Sequence, residues 1–165
     1  MFSMFLFFIA IVFTVGHLTF RREWHSGRVI EVFLSYILLF NVGMMGLTAA
    51  YMHVFWGPET ARQIGWQPGS PFQFEIGMAN LSYGILGVIA FWMRGRFWDA
   101  VLLGWSILLL GCFVGHIMDY YAHDNTAPWN IGAFIWFNDL FLPFLVLFLL
   151  GHLRKGTQPG FGVKE

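Results

Sequence analysis

Residues 102–123 read LLGWSILLLGCFVGHIMDYYAH, a run that is long and apolar enough to cross a lipid bilayer as one α-helix. Its reactive side chains are spaced i, i+4, i+7 and i+11, which places them on one helical face: Cys112, His116, Asp119 and His123. Ionisable groups are costly inside a bilayer and usually face a bundle interior, a partner group or a water-filled cavity. This face is therefore the first place to look for a functional site.

The rest of the chain shares this apolar character. Of its 165 residues, 58% are hydrophobic and 20% aromatic, whereas only 11% are charged, and this balance excludes a soluble globular domain. Five apolar stretches are each close to the roughly 20 residues that a spanning helix needs: 2–20, 32–55, 74–93, 97–121 and 131–153. We predict an all-α, polytopic membrane helix bundle with five transmembrane helices in a single domain, residues 1–155, followed by a short cytoplasmic tail, residues 156–165.

Positive charge is distributed one-sidedly between these stretches. Of the nine Lys and Arg residues, only Arg62 lies in the second or fourth connecting loop. The others lie in or beside the first loop, the third loop and the tail: Arg21, Arg22, Arg28, Arg94, Arg96, Arg154, Lys155 and Lys164. Because cytoplasmic loops carry the excess of basic residues, we expect an N-terminus outside, a C-terminus in the cytoplasm, and a multi-pass protein of the inner (cytoplasmic) membrane. The zero formal net charge offers no general attraction to nucleic acid.

Several polar groups are expected at a similar depth in the outer half of the membrane. With about 1.5 Å of rise per residue, His116 and Asp119 lie within roughly two turns of the outer end of the fourth helix. The second helix ends at His53, the third begins near Glu75, and the fifth carries Asp139, where Pro143 should kink the helix or free a carbonyl. We predict an outward-facing site built from six residues: His53, Glu75, His116, Asp119, His123 and Asp139.

Several functions fit this set of residues. Imidazole and carboxylate groups together suit a transition metal ion, namely zinc, iron, manganese or copper, although His116 and His123 are too far apart along one helix to bind the same ion. The same groups could handle protons, or they could only hold the helices together in a non-catalytic accessory subunit of a membrane complex. Haem b between His53 and His116, or a quinone or lipid head group, is a further alternative. No motif decides whether the chain is an enzyme.

A second pattern on the fourth helix concerns packing. Gly104, Gly111 and Gly115 include a small-xxx-small spacing, which lets another backbone approach closely. That backbone is expected to be another helix of this chain, with a homo-oligomer or a membrane-complex partner as the alternative. The lipid bilayer is the one partner that composition requires.

The segment GWQPGSPFQFEIGMAN, residues 65–80, is followed by a glycine-rich third helix. In this respect the chain resembles a family of small multi-pass prokaryotic membrane proteins known as a domain of unknown function, over residues 30–152. The resemblance implies a helical membrane fold and places Glu75 and Asn80 in the family motif. It implies no activity, substrate or catalytic residue.

Overall fold

The structure, a computed structural model, describes residues 1–157, and within that range its regular elements are all helices. Four helical segments are long and apolar enough to cross a membrane: Phe2–Arg21, Ser26–Phe55, Arg96–His123 and Pro128–Lys155. The predicted all-α membrane bundle is confirmed at this level. The last helix continues to Thr157, so most of the tail predicted for residues 156–165 lies outside the described residues.

We number the helices in chain order. The first five are α1 (Phe2–Arg21), α2 (Ser26–Phe55), α3 (Gly57–Ile64), α4 (Phe72–Ala90) and α5 (Arg96–His123). A single turn, α6 (Pro128–Ile131), is followed by α7, residues 133–157. The bend between them falls at Gly132, where a Cβ would collide with the Pro128 carbonyl oxygen.

Two of the long helices contain a π-helical segment, Leu38–Met44 in α2 and Trp136–Phe141 in α7. The second has a local cause in the sequence, because Pro143 has no N–H to donate to the carbonyl of residue 139. Segments of this kind widen a helix and occur frequently at functional sites. Here they carry Asn41 in α2, and Asn138 and Asp139 in α7.

Helices α2 and α4 approach each other most closely, along a seam of four glycines: Gly43, Gly46, Gly84 and Gly87. A Cβ placed on Gly46 would lie 2.8 Å from the Gly84 Cα, and one on Gly87 would lie 2.5 Å from the Gly43 nitrogen. Such distances exclude a side chain, so the two backbones touch directly.

The glycines that the sequence grouped into one packing face on α5 have different environments. A Cβ on Gly104 would collide with the Tyr83 hydroxyl of α4, whereas one on Gly111 or Gly115 would meet nothing within 4 Å. Of these three glycines, only Gly104 therefore makes a close contact with another helix in the described part of the chain. The other two leave a stretch of α5 backbone open.

One end of the bundle is held by ion pairs and the other is hollow. The first, which we call the basic end, contains ion pairs from Arg28 and Arg94 to Glu31 and from Arg154 to Asp99. Arg28 also binds Glu23 at 2.7 Å, and this hydrogen bond lowers the pKa of the Glu23 carboxyl below its usual value. The buried residues of α5 all lie between positions 98 and 109, so the second half of that helix is free to line a cavity.

Candidate functional site

The hollow end contains an open cavity of about 1590 Å³. Helices α2, α4, α5 and α7 contribute to its walls, and the loops after α3 and α5 line it beyond the helix ends. Its walls are largely apolar, with Met45, Trp105 and Leu108 among the lining residues, and Gly111 and Gly115 expose the α5 backbone to it. A small number of polar groups within an apolar concavity is the usual composition of a ligand site.

Five of the six residues predicted to form the site line this cavity: His53, His116, Asp119, His123 and Asp139. Glu75 does not, because its side chain is exposed and it lies outside the cavity wall. Residue Gln73, which is buried, points into the cavity instead. Positions 73 and 75 lie about 200° apart around the axis of α4, so only one of the two side chains can face the cavity. Glu75 therefore lies apart from the other five residues.

His116 is held in one orientation by Asn130, a fully buried residue of α6. Its Nδ1 lies 2.8 Å from the Asn130 Oδ1, while the Asn130 amide nitrogen donates to the carbonyls of His116, at 3.3 Å, and Asn125, at 2.9 Å. The two carbonyl contacts orient the amide so that its oxygen faces the ring. An amide oxygen only accepts, so Nδ1 carries the proton and Nε2 retains a lone pair.

His53 has the same kind of partner. Its Nδ1 lies 2.7 Å from the amide oxygen of Gln73, so this imidazole also donates through Nδ1 and keeps an acceptor at Nε2. The two histidines, on α2 and α5, line the same cavity. We call His53 and His116 the histidine pair.

Asp119 is engaged by three donors. It accepts hydrogen bonds from Trp66 Nε1 at 3.0 Å, from Asn125 Nδ2 at 2.6 Å and from His123 Nδ1 at 2.7 Å. Asn125 also donates to the Ile64 carbonyl at 2.9 Å. These contacts hold the loop after α3 so that the Trp66 ring stacks on His116, with centroids 5.6 Å apart and an interplanar angle of 13°. The role of Asp119 in this geometry is to position Trp66.

The loop after α3 depends on a glycine. Gly65 has a φ of +86°, and a Cβ there would collide with the Asn125 side chain. Only glycine adopts this conformation without strain. The contact between Asn125 and the end of α3, which closes one end of the cavity, therefore requires glycine at this position.

The predicted metal ligands do not form one cluster. Within residues 1–157, no group of three His, Cys, Asp or Glu side chains is arranged to hold a metal ion. Asp119 and His123 bind each other, Glu75 lies outside, and Asp139 is bonded to Asn138 at 2.7 Å. Among the predicted ligands, the Nε2 atoms of His53, His116 and His123 have no hydrogen-bond partner within residues 1–157.

A second polar group lies where the two π-helical segments meet the start of α1. Ser3 donates to Asn138 Oδ1 at 2.6 Å, and Asn41 Nδ2 donates to the Ser3 carbonyl at 2.9 Å. We call Ser3, Asn41, Asn138 and Asp139 the π-segment cluster. Sequence reasoning did not assign Asn41 to the site, although a buried amide within an apolar stretch is a signal that could have found it.

Comparison with known proteins yields a family but no activity. A family model described as a family of unknown function (DUF6790) matches residues 1–159. None of the curated proteins and none of the solved structures matches the chain. The matched range includes both the histidine pair and the π-segment cluster.

Proposed function

The chain belongs to DUF6790, a family of unknown function, and we propose that it is a membrane protein that binds an amphiphilic small molecule at the histidine pair. One observation carries the proposal: two imidazoles whose Nδ1 atoms are engaged by amide oxygens share a cavity of about 1590 Å³. Pockets for drug-sized ligands measure about 300–1,000 Å³. The larger volume suits a molecule with a long apolar part, such as a lipid or an isoprenoid quinol.

The hydrogen bonds of the pair define the chemistry of the ligand head group. Both Nδ1 atoms donate within the protein, so each Nε2 offers a lone pair. A ligand that meets them must supply a donor, as a hydroxyl group does. Because a neutral imidazole accepts a hydrogen bond at its unprotonated nitrogen, the same pair would bind the hydroxyl group of a quinol or of a hydroxylated lipid head group.

The orientation in the membrane follows from the basic end. With Arg28, Arg94 and Arg154 on the cytoplasmic side, the cavity faces outward from the inner membrane and the N-terminus lies outside. We include α4 as the fifth transmembrane helix. It has 19 residues and packs along α2 through the glycine seam, although Gln73, Glu75 and Asn80 lower its hydropathy.

A metal ion or haem b at the histidine pair is the second candidate. Histidines that ligate metals usually donate their other ring N–H to a carbonyl or carboxylate oxygen, and His53 and His116 both do so with Gln73 and Asn130. Zinc, iron, manganese and copper all accept imidazole ligands. The remaining ligands would come from water, porphyrin or the bound molecule.

The proposal is tested on the protein purified in lipid nanodiscs. The binding of a short-chain benzoquinol is measured for the wild type, His116→Phe and the control His152→Phe, whose histidine is exposed near the basic end. Loss of Nε2 and filling of the cavity should weaken binding about tenfold or more in His116→Phe. The control should bind like the wild type. Mass spectrometry of extracted lipids identifies any ligand that is retained.

The second candidate, a metal ion or haem b at the histidine pair, is tested on the same samples. Elemental analysis and an optical spectrum should show metal or haem near stoichiometry in the wild type and its loss in His116→Phe. If no sample binds quinol, retains an amphiphile or contains metal after reconstitution, both candidates are wrong. A non-catalytic accessory subunit, in contact with a partner or a second copy through the open α5 face at Gly111 and Gly115, would then be the remaining explanation.

A further inference from the structure

The π-segment cluster is almost completely buried, yet it borders the cavity. Relative exposure is 1% for Ser3 and Asn41, 5% for Asn138 and 4% for Asp139. Asn41, Asn138 and Asp139 all line the cavity wall. Polar groups buried in this way are normally hydrogen-bonded, because leaving one unpaired is unfavourable.

The described hydrogen bonds of the cluster leave two of its oxygen acceptors without a donor. The Asn41 amide nitrogen faces the Ser3 carbonyl, which only accepts, so the orientation of the amide is determined. Its oxygen, Asn41 Oδ1, is buried and has no partner. The Ser3 hydroxyl and the Asn138 amide nitrogen donate to Asn138 Oδ1 and Asp139 Oδ1. The other oxygen of Asp139 receives no hydrogen bond from the described residues.

Asp139 also lacks a cationic partner. The described ion pairs involve Glu23, Glu31, Glu59, Asp99 and Asp119 and never Asp139. A carboxyl group inside a membrane bundle usually pairs with a positive group or marks a ligand pathway. The cluster therefore presents two acceptors, Asn41 Oδ1 and one oxygen of Asp139, without a protein donor for either.

We infer that the π-segment cluster binds a protonated amine of the amphiphile, with the ammonium group donating to Asn41 Oδ1 and Asp139. The inference rests on the proposed function, because the amine belongs to the ligand whose head group reaches the histidine pair. An ammonium group supplies a positive charge for the Asp139 carboxyl and several N–H donors for the two unused oxygen acceptors. A bare metal cation of the hard type would need about six oxygen ligands, and the cluster offers two.

The two polar sites line the same cavity, His53 and His116 in one and Asn41, Asn138 and Asp139 in the other. A head group that carries both a hydroxyl and an amine could therefore meet both sites. The ligand class is a long-chain amino alcohol.

The test uses probes that differ only in the head group: dodecanol, dodecylamine and dodecyltrimethylammonium, the last of which has charge but no N–H donor. Binding is measured in nanodiscs, with empty nanodiscs subtracted, for the wild type, Asp139→Asn, Asn41→Leu and the control Glu75→Gln. Asp139→Asn keeps an acceptor for the Asn138 amide, and Glu75→Gln changes an exposed carboxyl outside the cavity. Circular dichroism and thermal unfolding verify that each variant folds.

The wild type and Glu75→Gln should bind dodecylamine about tenfold more tightly than either other probe. Asp139→Asn and Asn41→Leu should lose this preference while their affinity for dodecanol stays within about twofold of the wild type. If the wild type binds dodecanol and dodecylamine equally, or if Asp139→Asn weakens both probes alike, the amine site is overturned and the proposed function stands. If no probe binds the wild type and His116→Phe changes nothing, both are overturned.

Discussion

At the scale of single residues, the chemistry of the site depends on which ring nitrogen of His116 carries the proton. Asn130 determines the position of this proton. Its amide nitrogen donates to two backbone carbonyls, and its oxygen therefore faces Nδ1. A lone pair at Nε2 is the property that either a hydroxylated ligand or a metal ion would use. Asn130 is thus a positioning residue, since it acts through His116.

We expect Asn130→Ala to allow both neutral tautomers of His116 and to destabilise the fold by about 1–3 kcal/mol, because a buried donor and two carbonyls lose their partners. Nitrogen NMR of labelled imidazole reports the tautomer, and thermal unfolding reports stability. Asn80→Ala is the control, since the Asn80 amide donates only to the Ile76 carbonyl of its own helix. An unchanged His116 spectrum in Asn130→Ala would contradict this assignment.

At the scale of elements, the seam between α2 and α4 determines where His53 and Gln73 meet. Direct backbone contact at Gly46 and Gly84 sets the distance between the helices, and the hydrogen bond from His53 to Gln73 joins the same two helices nearer the cavity. In a membrane, small residues and interhelical hydrogen bonds supply the packing that apolar burial cannot. The seam therefore supports the histidine pair.

We expect Gly46→Ala to separate α2 from α4 and to cost about 1–3 kcal/mol of stability, because the added Cβ would overlap the Gly84 backbone. Gly16→Ala on α1 is the matched control, where a Cβ meets nothing within 4 Å. The control should be neutral or slightly stabilising, because alanine favours a helix more than glycine does by about 1 kcal/mol. Unfolding temperatures measured in the same detergent compare the two, and equal values would argue against the seam.

At the scale of the whole molecule, the bundle is held by ion pairs at the basic end and contains the large cavity at the other. Helix α5 shows the division most clearly, since its buried residues end at Leu109 and its second half borders the cavity. Gly111 and Gly115 keep that wall open, which favours close approach of a ligand to the backbone.

We expect Gly111→Leu to fill part of the cavity and to weaken amphiphile binding about tenfold or more, with stability unchanged to within about 1 kcal/mol. The leucine enters open space, because nothing lies within 4 Å of a Cβ at this position. Gly151→Leu, at an equally open position on α7, should leave binding as it is. Parallel loss of stability and binding in Gly111→Leu would show that α5 packs against another helix or subunit there.

Some residues of the site could be predicted from the sequence and others could not. The spacing of His116 and Asp119 on one face of an apolar helix was sufficient to place both at the cavity. For α4, however, both Gln73 and Glu75 are polar, so hydropathy could not decide which one turns inward. The role of Asn130 could not be predicted from the sequence, because its contact with His116 depends on how the chain turns after α5.

The sequence by itself determined the all-helical membrane class and the helical face that carries His116, since length, hydropathy and periodicity are local properties of the chain. Only the tertiary structure decided that Gly46 meets Gly84, that Gln73 replaces Glu75, and that Asn41 joins Ser3 across the bundle. These outcomes depend on the rotation and separation of packed helices. Helix packing sets both, through contacts between residues that are far apart in the chain.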